Sequence, residues 1–154
     1  MPRHFAPPTL AGSFGAMARN NAWCNHRLLA AIATLEQAAF DAPQGGSLGP
    51  AALAAAQAAI DRCLVAHCDA LSDADLAREI RVHRGQRFAV ERQDRLLLHL
   101  FLHQTHHRGQ AHGMLSSTSV KPPQLDEFYS IAEVPLREAE FFELGWTEAE
   151  VWGR

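Results

Sequence analysis

The chain has 154 residues, 47% hydrophobic and 20% charged, which is enough for one domain with a sizeable core. A formal net charge of −3 gives no electrostatic basis for a nucleic-acid surface. No run reaches the length of a membrane span, residues 1–13 hold no apolar signal core, and three cysteines without zinc-type spacing suit a reducing compartment. A soluble cytoplasmic protein without membrane or nucleic-acid partners is therefore expected.

Residues 1–9 carry three prolines and read as an extended lead-in. A first helix is expected over 10–39. Phe14, Asn21, Asn25, Leu28 and Ile32 share one of its stripes, with Met17 and Leu35 beside it, whereas Trp23 and His26 point away. Two asparagines on an apolar stripe admit two readings: helix-to-helix hydrogen bonding, or the lining of a polar pocket. Residues 41–50, with two prolines and three glycines, read as a linker. A second helix is expected over 50–71, opened by Pro50 and favoured by its alanines. Leu53, Ile60, Leu64 and Leu71 form its apolar stripe, and His67 falls on that stripe as either a core histidine or a metal ligand. Cys63 and Cys68 read as packing residues. Ser72 is placed to cap a short helix that follows, and residues 80–91 alternate around Gly85 as a hairpin or irregular loop.

The stretch from His99 to Met114 holds five of the nine histidines. It lies in a helix expected over 92–116, apolar nearly all round and so expected to be central and buried. At about 100° per residue, His99, His103 and His107 lie on one stripe with His106, Gln110 and Met114 close by, while His112 points the other way. Imidazoles at i and i+4 converge over one turn and can share a divalent ion. The spacing supports a metal site, with a hydrogen-bonded histidine ladder as the alternative. Residues 124–154 carry many large apolar groups, among them Leu136, Phe141, Phe142, Trp146 and Trp152. They are expected to form one or two short helices docked on an otherwise exposed surface.

His103-Gln-Thr-His106-His107-Arg108-Gly109-Gln110 resembles the H-x3-H-R-G-Q signature of the DinB/YfiT-like family, bacterial four-helix-bundle proteins of which many bind metal. Asn21-Ala-Trp23-Cys-Asn25-His-Arg27-Leu28 resembles the family's first-helix pattern. The acidic run from Asp69 to Leu76 resembles the end of its third helix, and Pro122-Pro123-Gln124-Leu125-Asp126 the exit after the fourth. The likeness covers roughly residues 10–130. His83-Arg84-Gly85-Gln86 repeats part of the signature without an upstream histidine and reads as coincidence. The chain departs from the family between its first two helices. The comparison calls for a further helix there, carrying a third metal-binding histidine, and residues 41–50 contain none.

The fold expected is thus all-α: a DinB-like helical bundle of the up-and-down four-helix type, one core helix absent or replaced, forming a single domain over 1–154. A homodimer through the open flank is expected, unless the C-terminal segment covers that flank. Spacing and resemblance together point to a divalent metal, zinc or nickel first and iron or copper next, held by His103 and His107; His67, from its place on the stripe of its own helix, is the candidate third ligand. The resemblance implies a metal-dependent hydrolase or thiol-dependent transferase acting on a small molecule; Gln110, one turn from His107, is placed to orient a ligand, and Arg108 reads as a structural ion-pair partner. The alternative is a non-catalytic dimeric helical module with an incomplete metal site.

Overall fold

The computed structural model describes residues 9–35 and 49–152, so the expected linker lies almost wholly outside the described residues. Three long helices dominate: α1 (Leu10–Ile32), α2 (Pro50–Asp69) and α4 (Gln93–Leu115). Between α2 and α4 stand a short helix α3 (Asp73–Leu76) and an antiparallel hairpin of β1 (Glu79–Arg84) and β2 (Arg87–Arg92). A 3-10 turn (Ile131–Glu133), α5 (Val134–Glu143) and α6 (Glu148–Trp152) close the chain. No described helix is long and apolar enough to cross a membrane.

Local chemistry accounts for these boundaries. The Thr9 hydroxyl caps α1 by accepting from the Gly12 amide, and the Ala11 amide donates to Asp73 Oδ1 at 2.7 Å, which ties α1 to α3. α1 ends at Ile32 rather than continuing to residue 39. Thr34 and Leu35 tighten the last turn with bonds three residues back, and the Thr34 hydroxyl takes the Ala31 carbonyl at 2.7 Å. Ser72 and Asp75 form a reciprocal capping box on α3, as the sequence pattern suggests.

In the hairpin, Arg84 pairs with Arg87 across a two-residue turn, and Gly85 has φ +67°. That is the first turn position, where type II′ hairpins take glycine. Gly85→Val is expected to lower the unfolding free energy by about 1–2 kcal/mol in urea denaturation, because a β-branched side chain is strained at positive φ. Unchanged stability would place the turn in another conformation.

α1 is buried on two sides. Phe14, Ala18 and Ala22 meet Val65 and Cys68 of α2, Leu76 of α3, and Leu97 and Phe101 of α4. On its other side Trp23 and Cys24 pack with Phe128 and Phe141, flanked by Leu125, Leu144, Trp146, Val151 and Trp152. The C-terminal segment therefore docks on the Trp23 side of α1, which explains why that residue stands off the first stripe. Arg27 fastens the docking. Its guanidinium donates to Glu140 Oε1 at 2.7 Å, to Glu127, and to the carbonyls of Gln124 and Leu136, and lies 4.4 Å from the Trp23 ring centre.

Two expected faces are corrected. On α2 the buried stripe is Asp61, Val65 and Cys68, not the apolar line through Ile60 and His67; Ile60 is 60% exposed. Asp61 turns inward because asparagines of α1 meet it there. α4 is not buried all round. Gln93, Leu97, Phe101 and Leu115 face the core, whereas Leu98 and Leu102 are exposed, as are His99, His103, His106 and His107. The long helix that packs along α4 is α1, on one side, so the other side of α4 faces outward.

Candidate metal centre

The H-x3-H spacing does what helical geometry demands. His103 Nε2 and His107 Nε2 stand 3.0 Å apart across one turn of α4. His107 Nδ1–H donates to Gln110 Oε1 at 2.8 Å, one turn further on. That bond leaves the His107 Nε2 lone pair free to accept, so the His103 Nε2–H is the donor between the rings. His99 stacks on His103 with ring centres 5.5 Å apart, and the His106 ring meets His107 edge-on at 5.3 Å. The packing of these rings removes water from His103 and, with the charges that His107, His99 and His106 would carry, holds its pKa below the ordinary histidine value. The stripe is thus a histidine ladder on the solvent face of α4, and the expectation that this helix is buried all round is not met at these histidines. Cavities of about 680, 320 and 140 Å³ elsewhere in the molecule have walls that include neither His103 nor His107.

The other candidates lie apart from the pair. His67 is exposed near the end of α2, and its Nε2 accepts from the Gln93 side-chain amide at 3.1 Å. Gln93 opens α4 ten residues before His103, about 15 Å along the helix axis. The structure therefore does not bring His67 to the His103–His107 pair, because the buried face of α2 follows Asp61 instead. Among the described residues no group of three or more His, Cys, Asp or Glu side chains is placed to hold a metal ion. His112 faces the opposite way, half-buried, with Nε2 3.0 Å from the Pro123 carbonyl.

Arg108 of the same signature turns inward to a buried polar network. It donates to Asn21 Oδ1 and, at 3.5 Å, to Asn25 Oδ1. The amide nitrogens of both asparagines in turn donate to Asp61, at 3.0 and 3.1 Å, and Gln57 adds a further bond at 3.1 Å. Each asparagine is thus a relay between a half-buried cation on α4 and a buried anion on α2. Of the two readings of the asparagine stripe, the structure shows helix-to-helix bonding. Arg108 meets amide oxygens rather than a carboxylate, with Asp61 one bond beyond. Burial pushes the Asp61 carboxyl above its ordinary value, against the donors of Asn25, Gln57 and Asn21 and the Arg108 charge. Sequence reasoning had a usable signal here. Asp61 is the one acid between Pro50 and Cys68, and two asparagines at i and i+4 on a core stripe need a partner.

With that geometry in hand, comparison with known families gives a match to the DinB family over residues 51–134, 84 of the 154 residues. The chain belongs to the DinB family. The matched stretch of this DinB-family chain runs from α2 to the start of α5. It contains the histidine pair and Arg108, but not α1 and its asparagines. Neither the curated proteins nor the solved structures give a significant match.

Whether the residues suit a divalent metal is decided by the pair itself. A tetrahedral zinc ion with bonds of about 2.0–2.1 Å holds two ligand nitrogens about 3.3 Å apart. The His103–His107 separation of 3.0 Å is close to that value, and Gln110 supplies the acceptor that fixes a ligand histidine's tautomer. With the His103 proton moved from Nε2 to Nδ1, both Nε2 lone pairs are free, and the donor set fits such an ion as half of a tetrahedral site.

Proposed function

We propose that this DinB-family chain is a divalent-metal-binding helical protein that uses His103 and His107 as a paired clamp. The observation that carries the reading is the convergence of two Nε2 atoms with Gln110 bonded behind one of them. Imidazole ligands suit zinc or nickel first, with copper and iron next. His67 is not part of the clamp, because its ring nitrogen is engaged by Gln93. The exposure of both rings favours a binding module over an enzyme, since a catalytic metal works in a dry, shaped cavity. In the hydrolase or thiol-transferase reading that the family resemblance implies, the bound metal would lower the pKa of a water or thiol at an open position. His103 and His107 would hold the ion, with Gln110 orienting His107.

Elemental analysis of the untagged chain after incubation with zinc tests this. Bound zinc is expected in the parent and in His67→Ala, and at least a tenfold loss of affinity in His107→Ala. Since His107 is exposed, its replacement leaves the core intact. Equal affinity in the parent and His107→Ala would remove the clamp; loss in His67→Ala would restore that residue as a ligand.

A further inference from the structure

From Leu96 to Met114 the only charged side chain is Arg108, and it is turned inward onto Asn21. The outer face of α4 is therefore free of permanent charge for about 28 Å. A solvent-facing side of a monomer's helix is ordinarily lined with charged residues. Here it carries Leu98, Leu102 and Met114, exposed by 45%, 69% and 54%, together with the histidine clamp. Two such faces meet without like-charge repulsion, which is the electrostatic requirement for a surface to pair with itself. The clamp adds a second requirement. It offers two nitrogens, a closed zinc site uses four ligands, and among the described residues no third His, Cys, Asp or Glu is placed to complete a site with it: His99 and His106 meet the pair only by ring packing.

We infer that the missing ligands come from a second copy of this chain, whose α4 packs on the first so that two His103–His107 clamps share one metal ion on a twofold axis. An isologous pairing presents the same residues from both sides, so a half-site becomes a four-nitrogen site with no further residue required. Leu98, Leu102 and Met114 then exchange water for the partner helix, and the apolar contact and the metal reinforce each other. Arg95, exposed one turn before Leu98, lies outside the uncharged strip and at its end. Such a site is coordinatively closed, so its metal is an assembly element. This inference rests on the metal-binding reading above and specifies the partner for the same site.

Sedimentation of the full untagged chain, with zinc and with chelator, tests it, together with the zinc-to-chain ratio. The expected result is a mass that doubles with zinc, half a zinc per chain, and return to monomer with chelator. His103→Ala is expected to remain monomeric in zinc. Leu102→Glu, which leaves the clamp intact, is expected to weaken zinc-dependent dimerisation at least tenfold. One zinc per chain on a monomer would overturn the shared site while leaving the metal-binding reading in place. No zinc uptake would overturn both. A dimer that persists in chelator and in His103→Ala would overturn the claim that the clamps join the copies.

Discussion

Glu148→Ala is expected to destabilise the fold by about 3 kcal/mol, the low end of what breaking a buried ion pair costs. Arg137 of α5 is the buried partner, with a relative exposure of 0%. Glu148 takes its Nε and one terminal nitrogen in a two-point bond at 2.8 and 2.9 Å, while the other terminal nitrogen donates to the carbonyls of Glu127 and Ser130. Those two carbonyls remain in the variant and Glu148 is itself partly exposed, which keeps the loss near the lower bound. What the variant cannot replace is the countercharge. Arg137 would stand beside Phe141, fully buried, where water does not reach to solvate it. Glu148→Gln retains an acceptor and should lose less. The check is the urea midpoint with the slope unchanged. A loss below about 1 kcal/mol in Glu148→Ala would mean that the backbone carbonyls alone hold the guanidinium.

This ion pair also marks where the sequence stops being legible. The long helices, the capping box at Ser72 and the hairpin at Gly85 follow from local signals, since caps, turn residues and periodicity each act within a few residues. The H-x3-H convergence follows from helical geometry alone. Which side of a helix is buried is a different matter, because it depends on partners far along the chain. α4 is apolar almost all round, so its pattern does not say which side meets α1; the answer came from Phe101 against Phe14. α2 offered an apolar stripe through Ile60 and His67, yet its inward side carries Asp61, because a buried acid with three amide-bearing partners outweighs a weakly apolar alanine-rich face. Placing His67 as a ligand inherited that error of phase. Arg27 was invisible for the same reason: a lone arginine in sequence carries no sign of carboxylates that lie 100 or more residues away, as Glu127 and Glu140 do from Arg27. Arg137 and Glu148 are close in sequence but stand on two separate helices, and the turn between α5 and α6 decides that they meet.

Asp61→Ala is expected to have the largest effect, about 3–5 kcal/mol, because it strips the acceptor from three donors, two of them on buried asparagines, and the countercharge from the half-buried Arg108 at once. The asparagines cannot compensate. Their oxygens already serve Arg108, and their amide nitrogens would point into the space that the carboxylate leaves. Asp61→Asn separates charge from hydrogen bonding. Its oxygen still accepts from Asn21 and Asn25, so it should fall between the parent and the alanine variant at neutral pH. The comparison also has a pH signature. Burial raises the Asp61 pKa above its unfolded value of 3.8, so the folded chain binds that proton more tightly than the unfolded chain does. The stabilisation from the protonated carboxyl is complete below the unfolded value and is lost as pH rises through the folded one. The stability of the parent minus that of Asp61→Asn should therefore fall with rising pH over a window opening near 3.8, and level off above the raised folded value. Other acids titrate in both proteins and cancel in the difference. A difference that rises with pH would mean that Arg108 and the amide donors outweigh desolvation, so that the network binds the carboxylate more tightly than the acid.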